Sequence, residues 1–222
     1  ACLARRRSSV RLRYSPQILY YMLSIQIPTV EQRKVTFRKL YNELKEQSEP
    51  YGNDIEIIYL SDNKELPIGA KRNKLYEMST KKYSLQYDDD DWIHKNGIEL
   101  IMNELYRDVD CYTYNYKVHL DDGRYIYREK NSFGVNYTKQ KNFNGFNNVH
   151  PPTPKCIFKT GLAREVKLDE NLRYGEDGVF ASSIVPLINS SFHIDKYIYE
   201  YKNLSGEPFH EPARYGMTEK TW

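Results

Sequence analysis

The sequence predicts an α/β fold with a mostly parallel, open sheet that carries helices on both faces and continues into a smaller antiparallel β region. Three observations predict it. The first half alternates strand, helix, strand, helix and strand, the order typical of right-handed βαβ connections. Acidic residues follow the third of these strands at once. The second half instead alternates in polarity around an Asp-Asp-Gly turn, which predicts an antiparallel hairpin.

Each element of the first half is predicted from its periodicity and its end signals. The run 20–29, "YYMLSIQIPT", indicates a strand that ends in Pro-Thr, whereas 31–47 repeats apolar residues at helical spacing. The mostly apolar run 54–63 predicts a second strand that is covered on both faces. The remaining predictions are a short helix over 70–80, a strand over 82–87 and a helix over 93–108.

The second half is predicted to be richer in strands and loops. Residues 110–129 form the hairpin, and the polar, aromatic, Asn-rich stretch 131–154 is expected to be a loop. A helix is expected over 175–188, with two acids in its first turn, where they face the positive end of the helix dipole. The other predictions are a strand passing into a short helix over 155–166 and a closing strand over 192–203.

The composition favours one globular, cytoplasmic domain. The 222 residues carry a net charge of +3, too mild a basicity to indicate a nucleic-acid binder. The three cysteines form no CxxC pair, so zinc is not predicted and a reducing compartment is favoured. No apolar run approaches the ~18 residues of a spanning helix. We therefore expect a protein of the cytoplasm, of the producing or the host cell, without stable membrane insertion.

The first 17 residues are predicted to lie outside the core. The segment "ACLARRRSSVRLRYS" holds five Arg and no acid, a composition typical of transit peptides. A basic arm or a displaced terminus would have the same composition. Because no internal repeat or Pro- or Ser-rich linker follows, residues 18–222 are expected to form a single domain.

The acid run in "QYDDDDW" (86–92) indicates a cation site. Adjacent carboxylates repel one another, so the run is either a solvated turn or a place where positive charge binds. In open parallel sheets, ligands bind beyond the carboxyl ends of the strands, where Thr29, Asp62 and Asp88–Asp91 are predicted to meet. Mg²⁺ or Mn²⁺ would take one or two of these carboxylates and bridge them to a diphosphate.

Four segments, taken in order, resemble glycosyltransferase family 2 and its Rossmann-like GT-A fold. They are "LSIQIPT", "IIYLSDN", "IGAKRNKLYEMSTKKYSLQYDDDDW" and "LDENLRYGEDGVFA". The resemblance implies transfer of a sugar, of hexosyl type, from a UDP-sugar, usually with inversion, with Mn²⁺ or Mg²⁺ as cofactor. It also divides the domain into a nucleotide-sugar-binding half, 18–107, and an acceptor-binding and catalytic-base half, 108–222.

The resemblance assigns roles on the donor side. The acid run matches the DxD motif, so Asp90 would contact the metal and Asp88, the second metal-site acid, would lie nearer the ribose. Asp91 fits the frequent DxDD form, and Asp89 fills the variable slot beside the donor. The other donor-side residues are Pro28 and Thr29 at the nucleoside, Asp62 at the base or ribose, Gly69 at a close backbone approach, and Arg72 and Asn73 facing the nucleotide.

The resemblance places catalysis at "GED". Asp177 would act as the general base, and Glu176 would orient either the acceptor or Asp177. The alternative is that both are ordinary first-turn helix acids. His210 is a candidate for the metal site or the diphosphate, and His150 a candidate for the acceptor side; surface or core positions are the alternative for each.

The acceptor side is predicted to be aromatic. Tyr114, Tyr116, Phe143 and Phe146 would stack on a sugar ring or an extruded base, with hairpin packing as the alternative. The acceptor would be a saccharide or, as the Lys, Asn, Ile and Tyr bias suggests, a hydroxymethylated base in viral DNA. Two other classes compete with this one. A nucleotidyltransferase would need a Gly-rich loop that "IPTVEQRK" lacks, and a non-catalytic binding module would not need its acids.

Overall fold

A computed structural model gives the fold of the chain. It describes residues 22–120, 125–131, 141–143, 146–172 and 175–203, with side chains for 22–117, 150–172 and 175–201. The basic segment 1–17 and the candidate His210 lie outside the described residues. Within these ranges, no helix combines the length and apolar character needed to cross a bilayer.

Three parallel strands and two helices form the first half. The central strand is buried on both sides: Leu23, Ile25 and Ile27 face the helix that follows it, and Gln26 on the opposite face donates to Ser79 at the end of the next helix. The helices therefore cover both faces of the sheet. The elements are β1 (Leu23–Val30), α1 (Lys34–Ser48), β2 (Ile55–Asp62), α2 (Ile68–Met78) and β3 (Tyr83–Gln86).

The second half extends the same sheet with mixed pairing. Its elements are β4 (Trp92–Ile93), α3 (Gly97–Met102), β5 (Cys111–Leu120), β6 (Tyr125–Asn131), β7 (Lys141–Phe143), β8 (Phe146–His150), β9 (Ile157–Lys159), α4 (Thr160–Glu165), α5 (Glu176–Ile184) and β10 (Ser191–Asn203). The described strands run in the order β2-β1-β3-β9-β5-β6-β8-β7, and β10 pairs with β5 and β4. Strand β9 is antiparallel to both of its neighbours, β3 and β5.

The predicted fold class is confirmed. Parallel pairs join β1 to β2 and to β3, and β5 and β6 form the predicted antiparallel pair. The predicted strand and short helix over 155–166, the helix with two acids in its first turn and the closing strand are present as β9, α4, α5 and β10.

Three details of the prediction were wrong. Strand β2 is the end strand of the sheet and Tyr59 on it is exposed, because an apolar run does not distinguish a central strand from an edge strand. The helix expected over 93–108 is only α3, after which Leu105–Arg107 form a separate 3-10 turn. The expected loop 131–154 contains β7 and β8, whose Asn-rich sequences lack an apolar alternation.

Two apolar clusters hold the elements together. The larger one lies around β1, β3, β5 and β10 beneath α1 and α3. The smaller one lies beneath α4 and α5, where the ring of Tyr76 stacks on Phe180 with centroids 6.1 Å apart. Since Tyr76 belongs to α2 and Phe180 to α5, this second cluster fixes the start of α5 relative to the donor-side half.

Candidate active site at the carboxyl end of the third strand

The acid run follows β3 directly and is anchored at both ends. The amide of Tyr87 donates to the carbonyl of Gln26 (2.9 Å), which extends the pairing of β3 with β1. The amide of Asp91 donates to the carbonyl of Asp88 (3.2 Å) and closes a turn, after which Trp92 begins β4 against β10. The carboxylates are thus held at the rim where the parallel strands end.

Asp88 lies between the buried Arg72 and the partly buried Lys155. Its Oδ1 accepts from Nη2 of Arg72 at 2.8 Å, and Nζ of Lys155 lies 2.9 Å from its Oδ2. Burial opposes the negative charge, but Lys155 and Arg72 outweigh it and hold the pKa of Asp88 well below its usual range. Asp88 is therefore ionised, and any ligand that binds it must share it with these cations.

Asp89 is an internal residue. Its side chain is 2% exposed, and its oxygens accept from the hydroxyl of Thr29 (2.6 Å) and from Nη1 of Arg33 (2.7 Å). Pro28 is buried beside Thr29 in β1. The Thr29 hydroxyl and Asp89 thus join β1 to the acid run, and their contacts with the donor stay predictions.

Asp90 is the most exposed carboxylate of the run, at 32%. Nη1 of Arg33, itself half exposed, lies 3.0 Å from its Oδ2. Burial and the charge of Asp88 raise the pKa of Asp90, although Arg33 acts in the opposite direction. Asp90 is therefore the acid of the run that is most accessible to an incoming ion.

Asp91 is buried in an aromatic setting. The hydroxyl of Tyr199 donates to its Oδ2 at 2.5 Å, and Nζ of Lys155 lies 3.6 Å from the same atom. Burial raises the pKa of Asp91 to about 7, with Asp88 adding to the rise and Lys155 opposing it. Tyr199 stacks on Tyr87 with centroids 4.6 Å apart, so this acid is fixed by β10 as well as by its own turn.

Arg72 connects the acid run with the acids of α5. Besides Asp88, it donates to Oε1 of Gln86 (2.9 Å), and its Nε lies 3.8 Å from Oε1 of Glu176. Burial and the charge of Asp177 raise the pKa of Glu176 to about 7, against the effect of Arg72. Two acidic segments almost ninety residues apart in sequence therefore share one guanidinium group.

The start of α5 leaves Asp177 with an unused oxygen. Gly175 precedes the helix with φ of 84°, a left-handed conformation that favours glycine, and Glu176 and Asp177 form the first turn. Within the described residues, Oδ1 of Asp177 and Nε of Arg72 are buried and lack a hydrogen-bond partner. Because buried polar atoms are nearly always paired, these two atoms are candidates for contact with a ligand.

Asp62 accepts three hydrogen bonds from its own chain. It accepts from the amides of Lys64 (3.0 Å) and Leu66 (2.8 Å) and from the ammonium group of Lys71. These hydrogen bonds overcome the effect of burial and hold the pKa of Asp62 below its usual value. These hydrogen bonds close a turn at the end of β2, and the contact of Asp62 with the base or ribose stays a prediction.

Gly69 and Asn73 both contact the loop before α5. A Cβ on Gly69 would lie 2.4 Å from the carbonyl oxygen of Asp169. Asn73 donates to the carbonyl of Leu168 (3.0 Å) and to Oε1 of Glu170 (2.9 Å), and its Oδ1 accepts from the amide of Leu168 (2.9 Å). The close approach predicted at Gly69 exists, but the chain's own loop makes it.

The predicted acceptor-side residues are mostly packed. Tyr114 is fully buried and its hydroxyl donates to the carbonyl of Lys155, so its ring belongs to the core and the packing alternative is correct for it. Tyr116 is nearly buried and stacks on the His150 ring (centroids 6.4 Å, planes 9° apart). Tyr116 also contacts Tyr199, which links His150 to the acid run through three rings. The side chains of Phe143 and Phe146 lie outside the described residues.

The charges at the site fit a cation. Asp88–Asp91, Glu176 and Asp177 contribute six carboxyl groups, and the described cations among them are Arg33, Arg72 and Lys155. Within the described residues, no three His, Cys, Asp or Glu side chains form a ready-made metal cage. Mg²⁺, however, is usually held by one or two carboxylates together with substrate phosphates, and Asp90 offers one at the open edge. The residues present therefore fit a divalent ion that arrives with a diphosphate.

Three residues of the site were not found from the sequence: Arg33, Lys155 and Tyr199. Arg33 and Lys155 are ordinary basic residues in a chain with 33 of them, and each is more than 50 residues away from the acids it pairs with. Tyr199 is one of 21 tyrosines. An available signal was that a run of four acids needs nearby cations, but this does not say which ones.

Comparison with protein families gives a match to glycosyl transferase family 2 over residues 39–169. The match includes α2, β3 and the acid run and ends before Glu176. The comparison with curated proteins found no match.

Solved structures with the same fold include residues 1–349 of TarS from S. aureus. This chain is 18% identical to it, with a TM-score of 0.59 over 82% of this chain. The complexes of TarS 1–349 with UDP-GlcNAc (TM-score 0.59, 18% identity, 87% of this chain and 63% of that one) and with UDP (TM-score 0.56, 18% identity, 82% and 60%) are similar too. The chain spans about 60% of the length of TarS 1–349.

Proposed function

This chain belongs to glycosyltransferase family 2, and on that premise we propose that it transfers a sugar from a UDP-sugar to a hydroxyl group with inversion at the anomeric carbon. The observation that carries the proposal is the pair of acidic segments, Asp88–Asp91 and Glu176–Asp177, that meet around Arg72. The first segment suits a nucleotide diphosphate with its metal, and the second suits an acceptor hydroxyl.

The donor would lie at the rim formed by β1, β3 and the acid run. Asp90 is the direct metal ligand in this proposal because it is the most exposed acid, and Asp88 lies on the ribose side. A bound Mg²⁺ or Mn²⁺ would supply positive charge that stabilises the leaving diphosphate. UDP-GlcNAc is the first donor to test, since TarS with the same fold is known in complex with it.

The transfer needs one base. In the proposed reaction, the acceptor oxygen forms a bond to C1 of the sugar while the bond from C1 to the UDP oxygen breaks. The hydroxyl proton goes to Asp177, whose Oδ1 lacks a partner within the described residues, and UDP leaves with the bonding electrons. Glu176, beside Arg72, keeps Asp177 and the acceptor in position.

The acceptor is proposed to approach from the side of His150 and Tyr116. Their stacked rings connect through Tyr199 to Asp91, so they lie next to the acid run. Aromatic faces of this kind bind sugar rings and unstacked bases alike. A saccharide and a hydroxymethylated base in DNA are thus both acceptors to test.

A thermal-shift screen tests the proposal. The protein is heated with UDP, GDP and CMP, with their sugars and with UTP, each with and without Mn²⁺. A ligand at 100 times its dissociation constant adds about 2.7 kcal/mol of stability, so we expect UDP with Mn²⁺ to raise the melting temperature by roughly 5–10 °C. No shift with any nucleotide would contradict the proposal. If UDP raised the melting temperature but a transfer assay showed no turnover on any acceptor, the non-catalytic binding module would be favoured. If a nucleoside triphosphate raised the melting temperature most, the nucleotidyltransferase would be favoured.

A further inference from the structure

Lys155 is a partly buried cation that contacts the acid run from outside it. It precedes β9, and its side chain is 17% exposed. Its ammonium group lies 2.9 Å from Asp88 and 3.6 Å from Asp91, above the rings of Tyr199 and Tyr201 (5.3 and 4.7 Å to the centroids). Burial of an ammonium group is costly unless it is paired, so this position is set by the negative charge around it.

Both carboxylates near Lys155 have another partner. Asp88 already accepts from Arg72 on its other oxygen, and Asp91 accepts a short hydrogen bond from Tyr199. An ammonium group has three N–H donors, and these two carboxylates take at most two of them. Lys155 is therefore able to leave one of its carboxylates, since the carboxylate it leaves remains bonded.

A donor would change the partners of Asp88. A ribose hydroxyl or a metal ion that binds Asp88 takes over part of its charge and weakens its hold on Lys155. The same donor brings a diphosphate, which is a stronger anion, to the same edge of the sheet. The four-carbon stem of lysine lets the ammonium group follow the charge over a few ångströms.

On the basis of the proposed function, we propose that Lys155 is a diphosphate-binding residue, which exchanges Asp88 for the phosphate next to the sugar and stabilises the UDP that leaves. The charge that builds up on the leaving oxygen is then met by a protein cation in addition to any metal. This role makes Lys155 a specificity residue for the diphosphate part of the donor rather than for the nucleoside.

Calorimetric titration with uridine, UMP and UDP, each with and without Mn²⁺, tests the inference on the unsubstituted protein, Lys155→Met and Lys155→Arg. We expect Lys155→Met to weaken UDP binding at least tenfold, most strongly without Mn²⁺, and to change uridine binding less than twofold. Lys155→Arg keeps the charge and should retain part of the UDP affinity. Equal UDP affinity in Lys155→Met, or equal loss for uridine and UDP, would overturn the inference.

Two further variants separate binding from folding. Lys155→Met with Asp91→Asn removes the ammonium group together with a carboxyl group beside it, so it limits the charge imbalance if the single variant unfolds, and it should show the same selective loss of UDP affinity. Lys159→Met removes a lysine paired with Asp110, away from the acid run, and should bind UDP normally. If the unsubstituted protein binds no UDP, the proposed function fails and the inference with it. If UDP binding survives Lys155→Met, the inference alone fails.

Discussion

The hydroxyl of Thr29 donates a 2.6 Å hydrogen bond to Oδ2 of Asp89, which joins the end of β1 to the acid run. This bond divides the run into residues with different tasks. Asp89 and Asp91 are buried and hold the turn in place, whereas Asp88 and Asp90 face the open edge. The four consecutive aspartates thus differ in structure: two are buried and two are more exposed.

Stability should distinguish the two kinds of acid. Asp89→Ala leaves the buried Thr29 hydroxyl without its acceptor, which costs about 1–3 kcal/mol of unfolding free energy. Asp90→Ala removes only a half-exposed pair with Arg33 and should change stability by less than about 1 kcal/mol. Urea unfolding of both variants measures the difference. Equal losses would contradict the assigned roles.

We expect the effect of Mn²⁺ on UDP binding to depend on Asp90. With Asp90→Asn, we expect the gain in UDP affinity on adding Mn²⁺ to fall at least tenfold, because a carboxylate oxygen is replaced by a weaker amide ligand. Glu99→Gln, an exposed substitution on α3, is the matched control. Calorimetric titration with and without Mn²⁺ gives the result. An unchanged metal effect would remove Asp90 from the metal site.

Much of this arrangement was predictable from the sequence because it depends on local order. Acids directly after a buried strand must lie at its carboxyl end, and two acids at the start of an apolar helix must lie in its first turn. Glu176 and Asp88 were therefore placed on the right elements. Their shared contact with Arg72 was not predicted from the sequence.

Contacts between distant segments were not predictable in the same way. Asn73 bonds a loop 95 residues later, and Lys155 reaches Asp88 from a segment without a recognisable motif. The same residue types, such as Asn and Asp, hydrogen-bond to loops of the chain in one place and to ligands in another. Internal hydrogen bonds occupy both Asn73 and Asp62, and their assignment to the nucleotide from a resemblance stays a prediction.

A substitution of Asp177, the proposed base, should lower turnover without lowering UDP affinity. Asp177→Asn keeps the size of the side chain but cannot accept the acceptor's proton, so turnover should fall by about 10²–10⁴. UDP affinity should change little, because the base acts on the acceptor. Steady-state transfer assays combined with calorimetry measure both quantities. Turnover within threefold of the unsubstituted protein would show that another group is the base.

The pH dependence of stability should contain a contribution from Glu176. Its pKa is raised to about 7 in the folded protein, so the folded state binds this proton more tightly than the unfolded chain does. The resulting stability is present at low pH and is lost as pH rises through about 7. Relative to Glu176→Gln, which has no such proton, the protein should lose about 2–3 kcal/mol between pH 5 and pH 8. Urea unfolding at four pH values measures the difference, and a constant difference would refute it.

The hydrogen bonds of Asn73 and the close contact of Gly69 join α2 to the loop before α5, and breaking them should lower the unfolding free energy. Asn73→Ala removes two buried hydrogen bonds and one partly buried one and should lower the unfolding free energy by about 2–4 kcal/mol. Gly69→Ala should also destabilise, since its methyl group would meet the backbone of Asp169. Lys74→Ala, at an exposed position of the same helix, is the control and should be neutral within about 0.5 kcal/mol. If thermal unfolding showed the same loss of stability for Lys74→Ala as for the other two variants, the contacts between α2 and the loop would not be its cause.

The position of β9 between β3 and β5 bears on how the polypeptide can be divided. Cutting the chain near residue 108 would leave β3 in one fragment and both β9 and β5 in the other, so each piece would expose an unpaired strand. Neither piece should then fold by itself.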